Sequence, residues 1–178
     1  WEEISRAAGA TRDSEAGEGT PTFLFLWNPS RWAWDSGAIG ALIARMDSGD
    51  LAQDTWSTGN SDQPKAGDRF FLARVGTDLR GIFASGRILS SVRAGAHYDA
   101  ARAADGDTRK FVEIRFDELL NPWEDPVLSR EALAKALPQV NWTPQASGSR
   151  LASDVVLPLE ELWQRHLRDH SKHNVRLA

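Results

Sequence analysis

Hydrophobic positions in the chain switch between two periods. Phe23-Leu24-Phe25-Leu26-Trp27 is an unbroken apolar run of strand length, closed by Asn28-Pro29, as expected of a strand buried on both faces that enters a turn. Ile39, Leu42, Ile43 and Met46 then recur at helical spacing, predicting a helix over 37–46 capped by Ser36 and stopped at Ser48-Gly49-Asp50. Thr55 to Thr58 reads as a short strand. After the Gly67-Asp68 turn, Arg69 to Val75 and Gly81 to Leu89 read as neighbouring strands, with Gly86 marking a bulge or a close backbone approach. Lys110 to Phe116 alternates as a half-buried strand. Ser129 caps a helix that ends near Leu137 before Pro138, Trp142 to Gly148 is a loop, and Pro158 to Leu167 is a closing amphipathic helix.

Strands joined by turns rather than by helices imply an antiparallel or mixed sheet, most simply a small barrel with helices outside it. The fold class expected is α+β, one domain over residues 22–167. Residues 1–21, rich in Gly, Ala, Ser and Glu, and residues 168–178 read as tails or linkers. A chain that opens at Trp1 rather than Met reads as a fragment with a neighbouring domain. No apolar stretch approaches the roughly 18–20 residues of a membrane span. The opening residues have no signal-peptide pattern, so no membrane partner and a cytoplasmic setting are expected.

Charge and composition sharpen this picture. The net charge of −4 is unevenly spread: residues 65–115 hold ten basic and six acidic side chains, +4, which leaves −8 for the rest. Arg69, Arg80, Arg87, Arg93, Arg109 and Lys110 are therefore candidate phosphate contacts. Eight Trp stand against one Tyr, and there is no Cys, which removes disulfides and Cys-ligated zinc. Three indoles, Trp27, Trp32 and Trp34, fall within eight residues. Either Trp27 and a partner close one end of the core, or the group forms a stacking wall with Asn28 offering a donor and an acceptor to a base edge. Trp56-Ser57-Thr58-Gly59 has the make-up of a pocket lip.

Taken in order, the segments FLFLWNPSRW, TWSTGN, GDRFFLARVG, RGIFASGRI and WTPQASGSRL, followed by the LEELW helix, resemble the EVE branch of the PUA superfamily. They are similar above all to the EVE-like modules joined to HNH nucleases in modification-dependent restriction systems. The resemblance covers roughly residues 22–167. It implies a PUA-like pseudobarrel that binds a base flipped out of double-stranded DNA: a modified cytosine, or, as in the related YTH branch, N6-methyladenine in DNA or RNA. By position it carries a base pocket onto Trp27, Asn28 and Trp32, onto Trp56, Ser57 and Thr58, onto Phe83 and Ser85, and onto Gln145, Ser147 and Gly148. It also implies a covalently attached nuclease domain.

No catalytic residue, cofactor or metal is expected. His166 and His170 lie at metal-sharing helical spacing with His173 beyond, but Arg165, Arg168 and Lys172 around them mark a solvated stretch. His97 has Tyr98 and Asp99 beside it and no nucleophile. From other functional classes, a small-substrate enzyme and a protein-interaction scaffold remain as alternatives. The role of the Ala-rich segment from Val92 to Lys110 stays open.

Overall fold

The computed structural model describes residues 19–97 and 99–170; Trp1, Tyr98, His173 and most of the two expected tails lie outside that range. In chain order the elements are β1 (Thr22–Trp27), α1 (Ser36–Asp47), β2 (Ala52–Gly59), β3 (Arg69–Arg74), β4 (Gly81–Ile88) and β5 (Arg93–Ala96). There follow α2 (Ala100–Ala104), β6 (Thr108–Leu119), β7 (Leu128–Ser129), α3 (Arg130–Ala136), β8 (Ser149–Arg150) and α4 (Ser153–His170).

One curled, mixed sheet runs β2-β6-β4-β3-β1-β8, with β5 extending beside β6 and β7 beside β4. The β1–β3 pair is parallel, from Thr22 opposite Arg69 to Trp27 opposite Arg74, and the other pairs are antiparallel. Alternation along β1 explains its continuous apolar run. Phe23, Phe25 and Trp27 point into the barrel with Phe70, Phe83, Val112, Ile114 and Phe116, and Ile39 of α1 packs among them. Leu24 points outward into a second core with Phe71, Leu133, Val155, Leu159 and Trp163, under α3 and α4. A central strand covered on both sides has no polar face to show.

Helix α1 begins at Ser36, with Asp35 rather than Ser36 as its cap: the Asp35 carboxylate accepts the Ala38 N–H at 2.8 Å. Helix α3 starts at the Ser129 cap, as the sequence suggests. Helix α4 starts five residues before Pro158, because its buried stripe, Val155, Leu159 and Trp163, extends upstream of the proline; packing of that face outweighs proline's preference for a first turn. It also runs on through residues 168–170. The segment from Val92 to Lys110 is an arm made of β5, α2 and the first residues of β6, and sequence patterning does not reveal it. Between β4 and β6 the register slips at Ser85/Gly86, where a side chain on Gly86 would collide with the Arg115 carbonyl. The bulge expected at this glycine is thus present.

Candidate base-binding site

The curled sheet leaves a seam between the ends of β1 and β2, and a cavity of about 560 Å³ opens there. That volume falls within the range of small-molecule sites. The Ser147 hydroxyl latches the seam: it donates to the Ser57 carbonyl at 2.8 Å and accepts from the Leu26 N–H at 3.1 Å. The Trp56 indole N–H adds a second tie, to the Leu26 carbonyl at 3.1 Å. Two glycines allow the loop before β8 to come this close. Gly59 and Gly148 both have left-handed φ, +62° and +94°, and a Cβ on either would strike the opposing backbone at Ser147 or Thr58.

Aromatic residues form the cavity's inner end. Trp27, only 1% exposed, meets Trp34 and Phe83 edge-on at 5.7 and 5.6 Å, and its indole N–H donates to the Trp32 carbonyl. Trp34 is 7% exposed and stacks nearly parallel to Trp32, at 11° and 5.7 Å. Trp32 remains 37% exposed and leans on Trp56 at 4.9 Å. The triplet therefore divides: Trp27 and Trp34 belong to the core, while Trp32 stands at the mouth. Asn28 shapes the turn that places it. Its carbonyl accepts from the N–H groups of Arg31 and Trp32, and its side-chain oxygen accepts from Ser30, which leaves its NH2 as the group it can offer a ligand.

Of the residues singled out from sequence, Trp27, Asn28, Trp32, Trp56, Ser57, Gln145 and Ser147 line this cavity. The other four lie behind its walls. Thr58 is buried, with its hydroxyl on the Ser61 carbonyl. Phe83 is interior core. Ser85 accepts the Trp163 indole N–H at 3.0 Å and so anchors α4. Gly148 closes against Thr58.

The basic candidates divide as well. Arg80 and Arg109 line the cavity. Arg69 does not: only 8% exposed, it is held by Glu160 at 2.7 Å and Asp117 at 3.4 Å and binds β3 to α4, so it is spent on structure rather than offered to phosphate. Arg93 pairs with Glu113 at 2.8 Å and Lys110 with Asp62 at 2.6 Å, both exposed. Arg87 lies half-buried on β4, outside the lining.

Sequence patterning misses Arg31, Asp54, Thr143 and Pro144, which also line the cavity. Asp54 sits on the interior face of β2, opposite Ile114 and between Ala52 and Trp56. Burial pushes its carboxyl above the usual range, while the Thr55 N–H and the nearby Arg109 pull it back. Among the described residues the lining holds three arginines and one aspartate, a positive balance.

Among the described residues, no group of three or more His, Cys, Asp or Glu side chains is placed to hold a metal ion, and no helix is long and apolar enough to cross a membrane. His166 faces the Pro126 carbonyl at 2.8 Å and His170 the His166 carbonyl at 3.0 Å.

No protein-family model matches the chain, and no curated protein matches it in sequence. Solved structures do resemble it. A hypothetical protein from Leishmania major superposes with a TM-score of 0.54 at 14% identity, over 83% of this chain and 97% of the other. A Pseudomonas syringae protein gives 0.52 at 17%, over 79% and 99%. Human THYN1, in complex with DNA containing 5-methylcytosine, gives 0.50 at 17%, over 80% and 98%. Identities this low speak for the fold: a mixed α+β, PUA-like pseudobarrel.

Proposed function

We propose that the chain is a DNA-binding module that takes a flipped, modified cytosine, 5-methylcytosine or 5-hydroxymethylcytosine, into the cavity at the barrel seam. The observation that carries this reading is the lining itself, which brings three indoles, Trp27, Trp32 and Trp56, together with three arginines. Flipping a base costs a few kcal/mol, and stacking on an aromatic returns about 1–3 kcal/mol. Trp32 is the exposed plane for it, and the Asn28 amide and neighbouring backbone groups supply edge contacts. Arg31 and Arg80 would meet the flanking phosphates, with Arg93 and Lys110 of the arm as outer contacts. The complex of the similarly folded THYN1 with methylated DNA supports the same ligand class. The sequence resemblance extends the proposal to a cytoplasmic polypeptide in which this module, itself without chemistry, directs an attached HNH-type nuclease.

The test is the affinity of this chain for one short duplex in unmodified, 5-methylcytosine, 5-hydroxymethylcytosine and N6-methyladenine forms, at about 0.1 M salt. A preference of tenfold or more for a modified cytosine, about 1.4 kcal/mol, is expected. Equal weak binding to all four would sink the reading, and a preference for N6-methyladenine would replace its ligand.

A further inference from the structure

Among the described residues Asp54 is the one carboxylate in the lining, and its position on the inward face of β2, between a buried alanine and a buried tryptophan, is a costly place for a charge without a task. One of its oxygens accepts the Thr55 N–H at 2.7 Å, which fixes the carboxylate plane. Among the described residues it has no ion pair within 4.0 Å. Its second oxygen is therefore an acceptor held ready. Across the strand pair, Arg109 lines the same cavity, lies over the Phe111 ring at 5.0 Å, and keeps a buried Nε that has no hydrogen-bond partner. Acceptor and donor thus stand in one wall, each with unused capacity.

Pyrimidine edges differ in the order of these same groups. A cytosine presents an amino donor at C4, then acceptors at N3 and O2; a thymine presents an acceptor at O4, then a donor at N3. A carboxylate beside the 4-position gains a charge-assisted hydrogen bond from the amine and meets only a lone pair on a 4-oxo group. The methyl group of 5-methylcytosine and that of thymine are the same, so an aromatic wall alone admits both. A polar group that must be paired is what separates near-isosteres strongly.

We infer that Asp54 reads the 4-amino group of the flipped pyrimidine, with Arg109 donating to its ring nitrogen or 2-oxo group, so that the site accepts methylated cytosine and turns away thymine. This inference rests on the base-binding reading of the cavity and adds to it the edge that is recognised.

The experiment compares duplexes carrying 5-methylcytosine, thymine or 5-methyl-2-pyrimidinone, which lacks the amine, each opposite an abasic position so that no pairing has to be broken. Cytosine and uracil opposite the same position serve as unmethylated references. The unaltered chain is expected to bind 5-methylcytosine at least tenfold more tightly than either thymine or the pyrimidinone. Asp54→Asn is expected to bring 5-methylcytosine and thymine within about threefold of each other while the preference for 5-methylcytosine over cytosine persists. If the unaltered chain prefers each methylated base to its unmethylated partner but holds thymine and the pyrimidinone as tightly as 5-methylcytosine, the role of Asp54 is refuted and the base-reading function stands. If no methylated base is preferred, both fall together. The pyrimidinone comparison needs no variant, so it decides the role of Asp54 even where Asp54→Asn does not fold.

Discussion

Ser147 donates its hydroxyl proton to the Ser57 carbonyl at 2.8 Å, and the residues it joins are ninety positions apart in the chain. With the Leu26 N–H donating back to the same oxygen, one small side chain spans the open edge of the sheet where the cavity lies. Replacing it with alanine leaves a partly buried N–H and a carbonyl without partners, at a cost of about 1–3 kcal/mol. Ser147→Ala is expected to lower the unfolding free energy by that amount, read as a lower urea midpoint, and to weaken binding to modified DNA. A variant with unchanged stability and affinity would show that the seam needs no latch.

Trp32 and Trp34 stack on each other yet differ in burial, 37% against 7% exposed. Trp32→Ala should leave stability nearly intact and reduce affinity for a flipped base by about 1–3 kcal/mol, roughly 5- to 150-fold. Trp34→Ala should instead destabilise by about 3–5 kcal/mol. Paired denaturation and binding curves check both, and equal stability losses would contradict the division drawn between mouth and core.

The arginines sort by salt dependence. Arg31→Ala and Arg80→Ala should each reduce the slope of log affinity against log salt by about one. Arg69→Ala strands Glu160, while Asp117 keeps Arg115 at 3.3 Å, so it should lower thermal stability without altering that slope. A salt titration of the three variants decides, and a changed slope for Arg69→Ala would return it to the phosphate-facing set.

His166 should make the fold sensitive to acid. Burial lowers its pKa below the ordinary 6.5, the Pro126 carbonyl opposes this, and His170 adds to it. The unfolded chain therefore takes up a proton near pH 6.5 while the folded chain resists, so stability is full above about 6.5 and is lost as pH falls toward the lower folded value. His166→Gln should flatten the change in urea midpoint between about pH 7.5 and 5.5. An identical slope in the variant would assign the acid sensitivity elsewhere.

Local patterning exposes what local physics determines. The two-sided apolar run of β1, the Ser129 cap and the bulge at Gly86 are each written in a few consecutive residues. Trp32, Trp56 and Ser57 are likewise recognisable, because indoles and hydroxyls near strand ends are natural lining for a pocket, whereas Gln145 comes from the family resemblance alone. The misses have long-range causes. Ser85 looks like a pocket residue until Trp163, 78 positions on, claims its hydroxyl, and Arg69 looks free until Glu160, 91 positions on, does the same. Asp54 is hidden by a strand boundary: with β2 begun at Thr55 it falls in a loop. Begun at Ala52, the alternation Ala52, Asp54, Trp56, Thr58 puts a carboxylate on the inward face.

The parallel placement of β1 beside β3 has a consequence for the order in which the molecule is made. Strand β1 is made before either of its neighbours: it has β3 on one side and must wait for β8, at residues 149–150, on the other. The cavity wall from Thr143 to Ser147 emerges just before it. Strands β1 to β6 and Trp27 all precede this wall in the chain, but there is no latch until Ser147 leaves the exit tunnel. Polypeptides ending between β6 and Ser147 would carry Trp27, Trp32 and Trp56 without the complete lining, and competence to hold a ligand would arrive only with β8.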